Sequence, residues 1–368
     1  MGIQKTIDET FQQRKTTMTS QEPKGKKSTK RAVSSPSKAA AAAKRPKRAA
    51  LENLTNAGGE QMASAPQASK KSVLRSHTRR SSSLPLQGID EVKEETLPVP
   101  VPLPYKDIDD TDDPLFSPEY AQDIFIHMKG TEDANQIRRY MDRQPLISIK
   151  LRTIVIDWMV EVQESFELYH ETLYLSVKYV DRYLEKEVVP REQLQLVAMA
   201  AMLIASKFEE MQPPLVDDFI YICDDAYTRE ELLSAERKML KVLSYDLNTP
   251  IAYRFLRRFA QAAEANLELH TLARYICELT LQEYDFIEHK ASLLAASALY
   301  LAQKMKNAGS WCPTLEHYSG YVEKDLMPCV HQLNALVGQT PKENVSVVRK
   351  KYSHQVFYRS STLPAYKF

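Results

Sequence analysis

The chain has 368 residues with 43% hydrophobic content, which is enough for one large core or two smaller ones. Its formal net charge of +1 hides an uneven distribution, because residues 1–85 carry 18 Lys or Arg against 5 Asp or Glu. The longest apolar run, Leu196–Ala205, has ten residues and is too short to cross a bilayer. We expect a soluble protein in which a basic arm precedes an acidic body.

Residues 1 to about 104 are predicted to be disordered. Between Phe11 and Tyr105 there is no Phe, Tyr or Trp, and Ser, Lys, Ala, Pro and Gln fill the interval. Such a segment buries too little apolar surface to offset the entropy of ordering its backbone, roughly 1–2 kcal/mol per residue. The proline-rich spacer LPVPVPLP at 97–104 ends it. No apolar segment typical of a signal peptide lies at the N-terminus, so an intracellular protein is expected.

A helix is predicted at 118–129, ahead of the main body. Pro118 at its first position and Glu119 in its first turn are typical of a helix start, and Ser117 is the expected N-cap. An apolar stripe on this helix is expected to pack on the body or on a partner. The stripe consists of Tyr120, Ile124 and Met128.

From Ile149 onward, segments with helical apolar periodicity follow one another closely. Pro213 and Pro214 separate the third from the fourth, and SYDLNTP at 244–250 is interpreted as a linker. No segment shows strand alternation, and only nine glycines serve the whole chain, so an all-α protein is predicted. The predicted helices lie at 149–167, 171–186, 190–208, 215–223, 228–243, 251–263, 267–284, 288–306, 314–320 and 322–337.

Two of these segments resemble each other. LVAMAAMLIASK at 196–207 and LLAASALYLAQK at 293–304 align without a gap. Each is apolar nearly all round, which indicates a central helix surrounded by others. Alanine-rich composition alone could produce such a likeness. Because each is also the third long segment of its set, we favour a five-helix unit that occurs twice.

The sequence offers little for catalysis or metal binding. It lacks G-x-G-x-x-G, a P-loop, H-E-x-x-H and G-x-S-x-G. The cysteines form no C-x-x-C pair and no zinc spacing with histidine, so reduced thiols are expected. They are Cys223, Cys277, Cys312 and Cys329. We expect no enzymatic activity, no cofactor and no metal.

The segment IKLRTIVIDWMVEV at 149–162 places polar residues within an apolar helical face. Core packing explains Ile154 and Val162, but Arg152 in such a stripe needs an acidic partner or a rim position. Asp181, on the next predicted helix, is the partner that the sequence offers. The apolar residues of the face are Leu151, Ile154, Val155, Trp158 and Val162.

Four ordered segments, LRTIVIDWMVEV, ETLYLSVKYVDRYL, QLQLVAMAAMLIASKFEEMQPP and TREELLSAERKMLKVLSYDLNTP, resemble the cyclin box of mitotic cyclins. The likeness runs from about Asp113 to about residue 340. PIAYRFLRRFAQAA and YLEKEVVPREQLQLV resemble B-type cyclins, whereas SKFEE is A-like, and the mixture resembles the third B subgroup, cyclin B-three. The implied organisation is a regulatory arm at 1–104, an N-terminal helix region at 105–148, tandem five-helix cyclin boxes at 149–245 and 250–340, and a tail at 341–368.

Cyclins bind and activate a cyclin-dependent kinase and have no catalytic residue of their own. The resemblance therefore implies a regulatory subunit of a mitotic kinase that acts allosterically, by stabilising the active placement of the kinase's PSTAIRE helix and activation segment. Matched to the family motif, Lys207 and Glu236 would hydrogen-bond the kinase main chain. The residues that would supply apolar contact are Ile204, Phe208, Leu240 and Tyr245.

The resemblance also implies a docking patch for Arg-x-Leu peptides of substrates and inhibitors. Glu161 would receive the basic residue and the apolar face the leucine. The family usually has methionine where Leu151 stands, alanine at Thr153 and leucine at Val155, and apolar character survives at the first and last of these. The residues that would line the patch are Leu151, Arg152, Val155, Trp158, Glu161 and Gln195.

In the arm, KRPKRAALENLTN at 44–56 combines two short motifs. The first resembles a destruction box, which implies the anaphase-promoting ubiquitin ligase as a partner, and it consists of Arg48, Leu51 and Asn56. The second favours a nuclear import receptor and a nuclear location over a merely solvating charge run, and it consists of Lys44, Arg45, Lys47 and Arg48. Other Arg-x-x-Leu sequences lie in predicted folded segments, for example at Arg143, Arg191 and Arg229.

Several alternatives remain open. KEN at 342–344 imitates a second degron, or it packs against the body. A transcription-factor protein with the cyclin fold would bind DNA through a basic double box behind a zinc ribbon, but this body is acidic and has no ribbon. Among the cyclins, an A-type-like role in S and G2 phase is the runner-up to a B-type role in mitosis or meiosis. We expect neither direct nucleic-acid binding nor a membrane partner.

Overall fold

The computed structural model describes residues 104–111, 117–340, 342 and 345–368. All regular secondary structure among these residues is helical, which confirms the all-α prediction. No helix in the described ranges is long and apolar enough to cross a membrane. The destruction box, the basic cluster and the rest of the arm to residue 103 lie outside the described residues, as do Glu343 and Asn344 of the KEN sequence.

Helix α1 (Pro118–Gly130) precedes the main body and contacts it through one face. Met128 is buried, and the Phe125 ring lies 6.0 Å from that of Phe255. Tyr120 and Ile124 of the predicted stripe are exposed. The body therefore covers a face that is rotated from the predicted stripe toward Phe125.

Ser117 stands at the N-cap position of α1, but its side chain does not cap the helix. Its φ of 47° is left-handed, and its carbonyl accepts the N–H groups of Tyr120 and Ala121. The expectation of a serine side-chain cap is wrong here, because this backbone conformation replaces the extended one that a capping serine adopts.

The first five-helix unit is built around one central helix. Helix α4 packs against the other four, and all its residues from Val197 to Ser206 are buried, as expected for a helix that is apolar nearly all round. The α-helix starts later than predicted because a 3-10 turn at Arg191–Gln193 precedes it. The helices of the unit are α2 (Ile149–Ser165), α3 (His170–Lys186), α4 (Leu194–Glu209), α5 (Val216–Ile222) and α6 (Arg229–Val242).

The second unit repeats this arrangement, which confirms the predicted duplication. Helix α9 packs against three neighbours of its unit, and its residues from Leu294 to Gln303 are buried. The units meet where α2 contacts α8 and α3 contacts α7. The helices of the second unit are α7 (Ala252–Ala262), α8 (Leu267–Gln282), α9 (Ala291–Lys306), α10 (Pro313–Ser319) and α11 (Glu323–Gly338).

The residues after α11 fold back onto the body, whereas the sequence predicted only a tail from residue 341. Helix α12 (Val347–Lys351) packs against α2 of the first unit and α8 of the second. Val348 and Tyr352 are fully buried in this contact. The helix was missed because five residues are too few for an apolar period to be recognised.

Candidate functional site

Lys207 and Glu236 form an ion pair at one end of the first unit. Lys207 lies in the last turn of α4, and Glu236 lies in the middle of α6, which packs against α4. Lys207 Nζ is 2.5 Å from Glu236 Oε1, and the two side chains are 48% and 12% exposed. The ion pair is reachable from solvent, so both groups can offer hydrogen bonds to another main chain.

Exposed aromatic side chains flank this ion pair along the chain. Phe208 is 45% exposed and Tyr245 is 66% exposed. Tyr245 has a left-handed φ of 58°, uncommon for a bulky residue, and its N–H donates to the carbonyl of Leu240 at 2.9 Å. Large apolar side chains beside an accessible ion pair are typical of a protein-binding surface.

The other two residues expected to supply apolar contact are less accessible. Leu240 is half-buried, so part of its side chain can be contacted. Ile204 is buried in the core, because it lies on the central helix one turn before the exposed end. The expectation that Ile204 offers contact surface is therefore corrected.

Two glutamates that follow Lys207 anchor the end of α4, and the sequence analysis gave them no role. Glu209 Oε1 lies 2.5 Å from Arg254 Nη2 of the second unit. Glu210 Oε1 accepts the N–H of Tyr169 at 2.7 Å. Consecutive carboxylates at a helix C-terminus are unfavourable for the macrodipole unless partners compensate them. That rule, applied to SKFEE, could have identified both residues.

The proposed docking patch lies along α2 and the start of α4, and its members differ in accessibility. Trp158 is 4% exposed, so it is buried in the core, and its assignment to a surface patch is corrected. Arg152 is buried, and its assignment to a surface patch is corrected. The half-buried members, parts of which reach solvent, are Leu151, Val155, Glu161 and Gln195.

Arg152 belongs instead to a buried polar network between the two units. Its Nε and Nη2 lie 2.7 Å from the two carboxylate oxygens of Asp181, and its Nη1 donates to the carbonyl of Leu281 at 3.2 Å. The Tyr140 hydroxyl donates to the same carboxylate at 2.6 Å. Burial opposes the guanidinium charge, but the attraction of Asp181 outweighs it, so the pKa of Arg152 is raised.

Asp157, on the same helix, is a buried carboxylate with three donors. It accepts from Gln282 Nε2 at 2.5 Å, from the N–H of Val347 at 2.9 Å and from the N–H of Ser346 at 3.3 Å. Burial raises its pKa to about 6, although the three donors favour the charged form. Its donors lie 125 to 190 residues away in the sequence, so local sequence pattern could not predict these contacts.

Nothing in the described part of the chain groups His, Cys, Asp or Glu side chains so that they could hold a metal ion. The cysteines are free thiols, and Cys223, Cys277 and Cys329 are buried. Burial raises the pKa of Cys329 to about 11, which disfavours the nucleophilic thiolate form.

Two domain families match the helical body. The cyclin N-terminal domain matches residues 123–248, and the cyclin C-terminal domain matches residues 250–366. Among solved structures, a viral cyclin from herpesvirus saimiri superimposes with a TM-score of 0.53 at 25% sequence identity. The match covers 59% of this chain and 97% of the viral one.

Similar curated proteins carry the name G2/mitotic-specific cyclin-B3. The Gallus gallus protein is 47% identical over 335 residues, which are 85% of this chain and 83% of that protein. The Homo sapiens protein is 52% identical over 71% of this chain, and the Drosophila melanogaster protein is 44% identical over 73%. The chain spans only 19% of the human relative's length and 48% of the fly relative's length.

Proposed function

Because the chain belongs to the family of B-type, G2/mitotic-specific cyclins, we propose that it is the regulatory subunit of a mitotic cyclin-dependent kinase. It binds the kinase and activates it without a catalytic residue of its own. The names of its relatives favour this B-type role over an A-type-like role in S and G2 phase. The observation that carries the proposal is the accessible Lys207–Glu236 ion pair flanked by exposed Phe208 and Tyr245.

The chemistry of this surface suits a kinase main chain. The Lys207 ammonium donates to carbonyl oxygens, and the Glu236 carboxylate accepts from N–H groups. Because the two groups already face each other, they are held in place before binding, and a partially exposed ion pair is weak enough to be shared with a partner. Phe208 and Tyr245 lose solvent contact on binding. Activation follows if this surface has a higher affinity for the active placement of the kinase helix.

Helix α1 offers a second contact for the kinase. Its exposed apolar residues Tyr120, Ile124 and Ile126 have no cover on the described body. The side of the helix that carries Ala121, Phe125 and Met128 holds it to the body, and the Phe125 ring packs near Phe255 of the second unit. We assign the exposed face formed by Tyr120 and Ile124 to the kinase interface.

Substrates and inhibitors with Arg-x-Leu sequences bind the docking patch on α2. Leu151 and Val155 receive the leucine, and Glu161 receives the basic residue. The partial exposure of these side chains supports this role.

The arm controls location and lifetime. Import through the basic cluster at 44–48 brings the protein to the nucleus, and the destruction box of Arg48, Leu51 and Asn56 recruits the anaphase-promoting ubiquitin ligase. Degradation then ends kinase activity as mitosis or meiosis proceeds. Both roles rest on the residues of the motifs alone.

The first test mixes the full-length protein with a monomeric mitotic cyclin-dependent kinase and measures histone phosphorylation and the dissociation constant. We expect activation by the wild type and at least about tenfold weaker binding for Lys207→Ala and Glu236→Ala. Lys304→Ala is the matched control, because Lys304 aligns with Lys207 in the repeat and its Nζ lies 3.8 Å from Glu323 Oε1.

Lys304→Ala should bind and activate like the wild type. If Lys207→Ala does so too, the ion pair is not the kinase anchor. If the wild type neither binds nor activates any cell-cycle kinase, the proposed function is wrong.

A further inference from the structure

The segment around α12 is tied to both five-helix units by buried polar contacts. The Lys351 ammonium is buried and lies 2.9 Å from Gln163 Oε1 on α2 and 2.6 Å from Glu278 Oε1 on α8. The Tyr352 hydroxyl donates to the other oxygen of Glu278 at 2.7 Å. We name residues 345–352 the C-terminal clasp.

A second tether joins the clasp to α2 at Asp157. The carboxylate accepts the N–H groups of Ser346 and Val347 at the start of α12, and it also accepts from Gln282 at the end of α8. One carboxylate thus joins α2, α8 and the clasp. Removing any donor leaves buried charge less well compensated, so the three elements are coupled.

The two α2 residues that bond to the clasp, Asp157 and Gln163, lie close in sequence to docking residues. Asp157 lies two residues beyond Val155, and Gln163 lies two residues beyond Glu161. The first half of α2 has its own link to the second unit, because Thr153 Oγ1 donates to the carbonyl of Gln282 at 3.0 Å. The clasp supplies the corresponding link for the second half.

We propose that the C-terminal clasp positions the docking patch, with Asp157 and Lys351 as positioning residues that hold the second half of α2 in its peptide-binding orientation. The inference rests on the docking role proposed for α2. A peptide that binds a helix already held in place does not have to order it, so the clasp raises affinity for docking peptides without touching them. The kinase-binding ion pair lies on α4 and α6, to which the clasp donates no hydrogen bond among the described residues.

The test compares two substrates of the full-length complex with its kinase. One substrate carries an Arg-x-Leu sequence, and the other has alanine at both defining positions. Lys351→Met and Asp157→Asn should raise the KM of the first substrate about tenfold, toward that of the second. They should leave the second substrate's KM and both kcat values unchanged. Lys350→Met is the matched control, since the adjacent Lys350 is exposed, and it should change neither substrate.

Equal KM values for Lys351→Met, Lys350→Met and the wild type overturn the inference. If the wild type has the same KM for both substrates, both the proposed docking patch and this inference are wrong. Activation of the kinase toward the second substrate still tests the proposed function separately.

Lys351→Met leaves Glu278 buried without its cation, which destabilises the fold, so a second measurement uses the wild type alone. Hydrogen exchange is followed with and without an Arg-x-Leu peptide. We expect slower exchange for the amides of both α2 and residues 347–352. Slower exchange in α2 with no change in the clasp contradicts the proposal.

Discussion

Arg152 and Lys207 are both cations on apolar helices, but they differ in burial and therefore in role. The Arg152 guanidinium donates hydrogen bonds within the protein, to the Asp181 carboxylate and to the carbonyl of Leu281. Lys207 pairs with the Glu236 carboxylate, and about half of its side chain is exposed to solvent. A buried cation with a bidentate partner stabilises a packing arrangement, whereas an exposed one is available to a partner.

Removing Arg152 should therefore be costly. We expect Arg152→Met to lower the free energy of unfolding by about 3 kcal/mol, because Asp181 is left buried without its cation. Urea unfolding of the purified chain measures this. Arg229→Met breaks the solvent-exposed pair with Asp217 and should cost less than about 1 kcal/mol. Equal losses in the two variants would show that burial does not govern the strength of these ion pairs.

Asp157 predicts a pH dependence of stability. Burial raises its pKa in the folded protein to about 6, above the ordinary value of 3.8, and the negative charge of Glu161 adds to this shift. Protonation of Asp157 therefore adds to the free energy of unfolding. This stabilisation is fully present below the unfolded pKa of 3.8 and is lost as the pH rises through about 6. Relative to Asp157→Asn, the wild type should gain about 1 kcal/mol of unfolding free energy between pH 7.5 and pH 5.5.

Urea midpoints of both proteins at the two pH values measure this gain. If the difference between the two proteins is the same at both values, Asp157 does not titrate in this range.

At the scale of single elements, α1 separates structure from binding on its two faces. Phe125 packs near Phe255 and lies 5.0 Å under the guanidinium of Arg258. The neighbouring Ile124 is exposed. Adjacent residues on one helix thus serve the fold and the proposed interface.

The two faces of α1 can be tested with a matched pair of variants. Phe125→Ala should lower the free energy of unfolding by about 2 kcal/mol, because it removes ring packing from the second unit. Ile124→Ser should change stability by less than about 0.5 kcal/mol, because Ile124 is exposed, but it should weaken kinase binding if this face forms the proposed interface. Urea unfolding and calorimetric titration with the kinase separate the two effects. Unchanged kinase affinity in Ile124→Ser would remove α1 from the interface.

At the scale of the whole molecule, a basic arm with short linear motifs is joined to an acidic helical body. Arg-x-x-Leu sequences inside the body show why the arm matters. Leu194 and Leu232, of the sequences at Arg191 and Arg229, are buried and cannot enter a receptor groove. Leu146, of the sequence at Arg143, is exposed, so burial does not exclude this sequence from a receptor groove.

The two motifs of the arm share Arg48, so they are separated by changing other residues. Leu51→Ala should lengthen the half-life of the protein at mitotic exit and leave nuclear import unchanged. Lys44→Ala combined with Arg45→Ala should reduce import and leave the half-life unchanged. Time-lapse fluorescence of tagged protein measures both. Arg143→Ala with Leu146→Ala is the control, and if it stabilises the protein instead, the destruction box lies in the body.

Much of the architecture was predictable because it depends on local pattern. The apolar period of α4 and α9, their alanine content and their common place in each set predicted two central helices and hence a duplicated unit. The resemblance to cyclins, rather than periodicity, pointed to Lys207 and Glu236, which are adjacent in the fold. Helix ends were less well predicted. The apolar pattern continues through 3-10 turns such as Tyr284–Phe286, although the α-helix has already ended.

Contacts between distant segments could not be read in the same way. Four features depend on which helices meet in the fold. They are the partners of Asp157, the burial of Ile204, the packed face of α1 and the clasp. Periodicity shows that a helix has an apolar face, but the face that is covered is decided by the neighbours that long-range packing brings to it. Local sequence therefore specifies the helices and the repeat, while the tertiary fold alone assigns buried polar residues to tethers and leaves others exposed for partners.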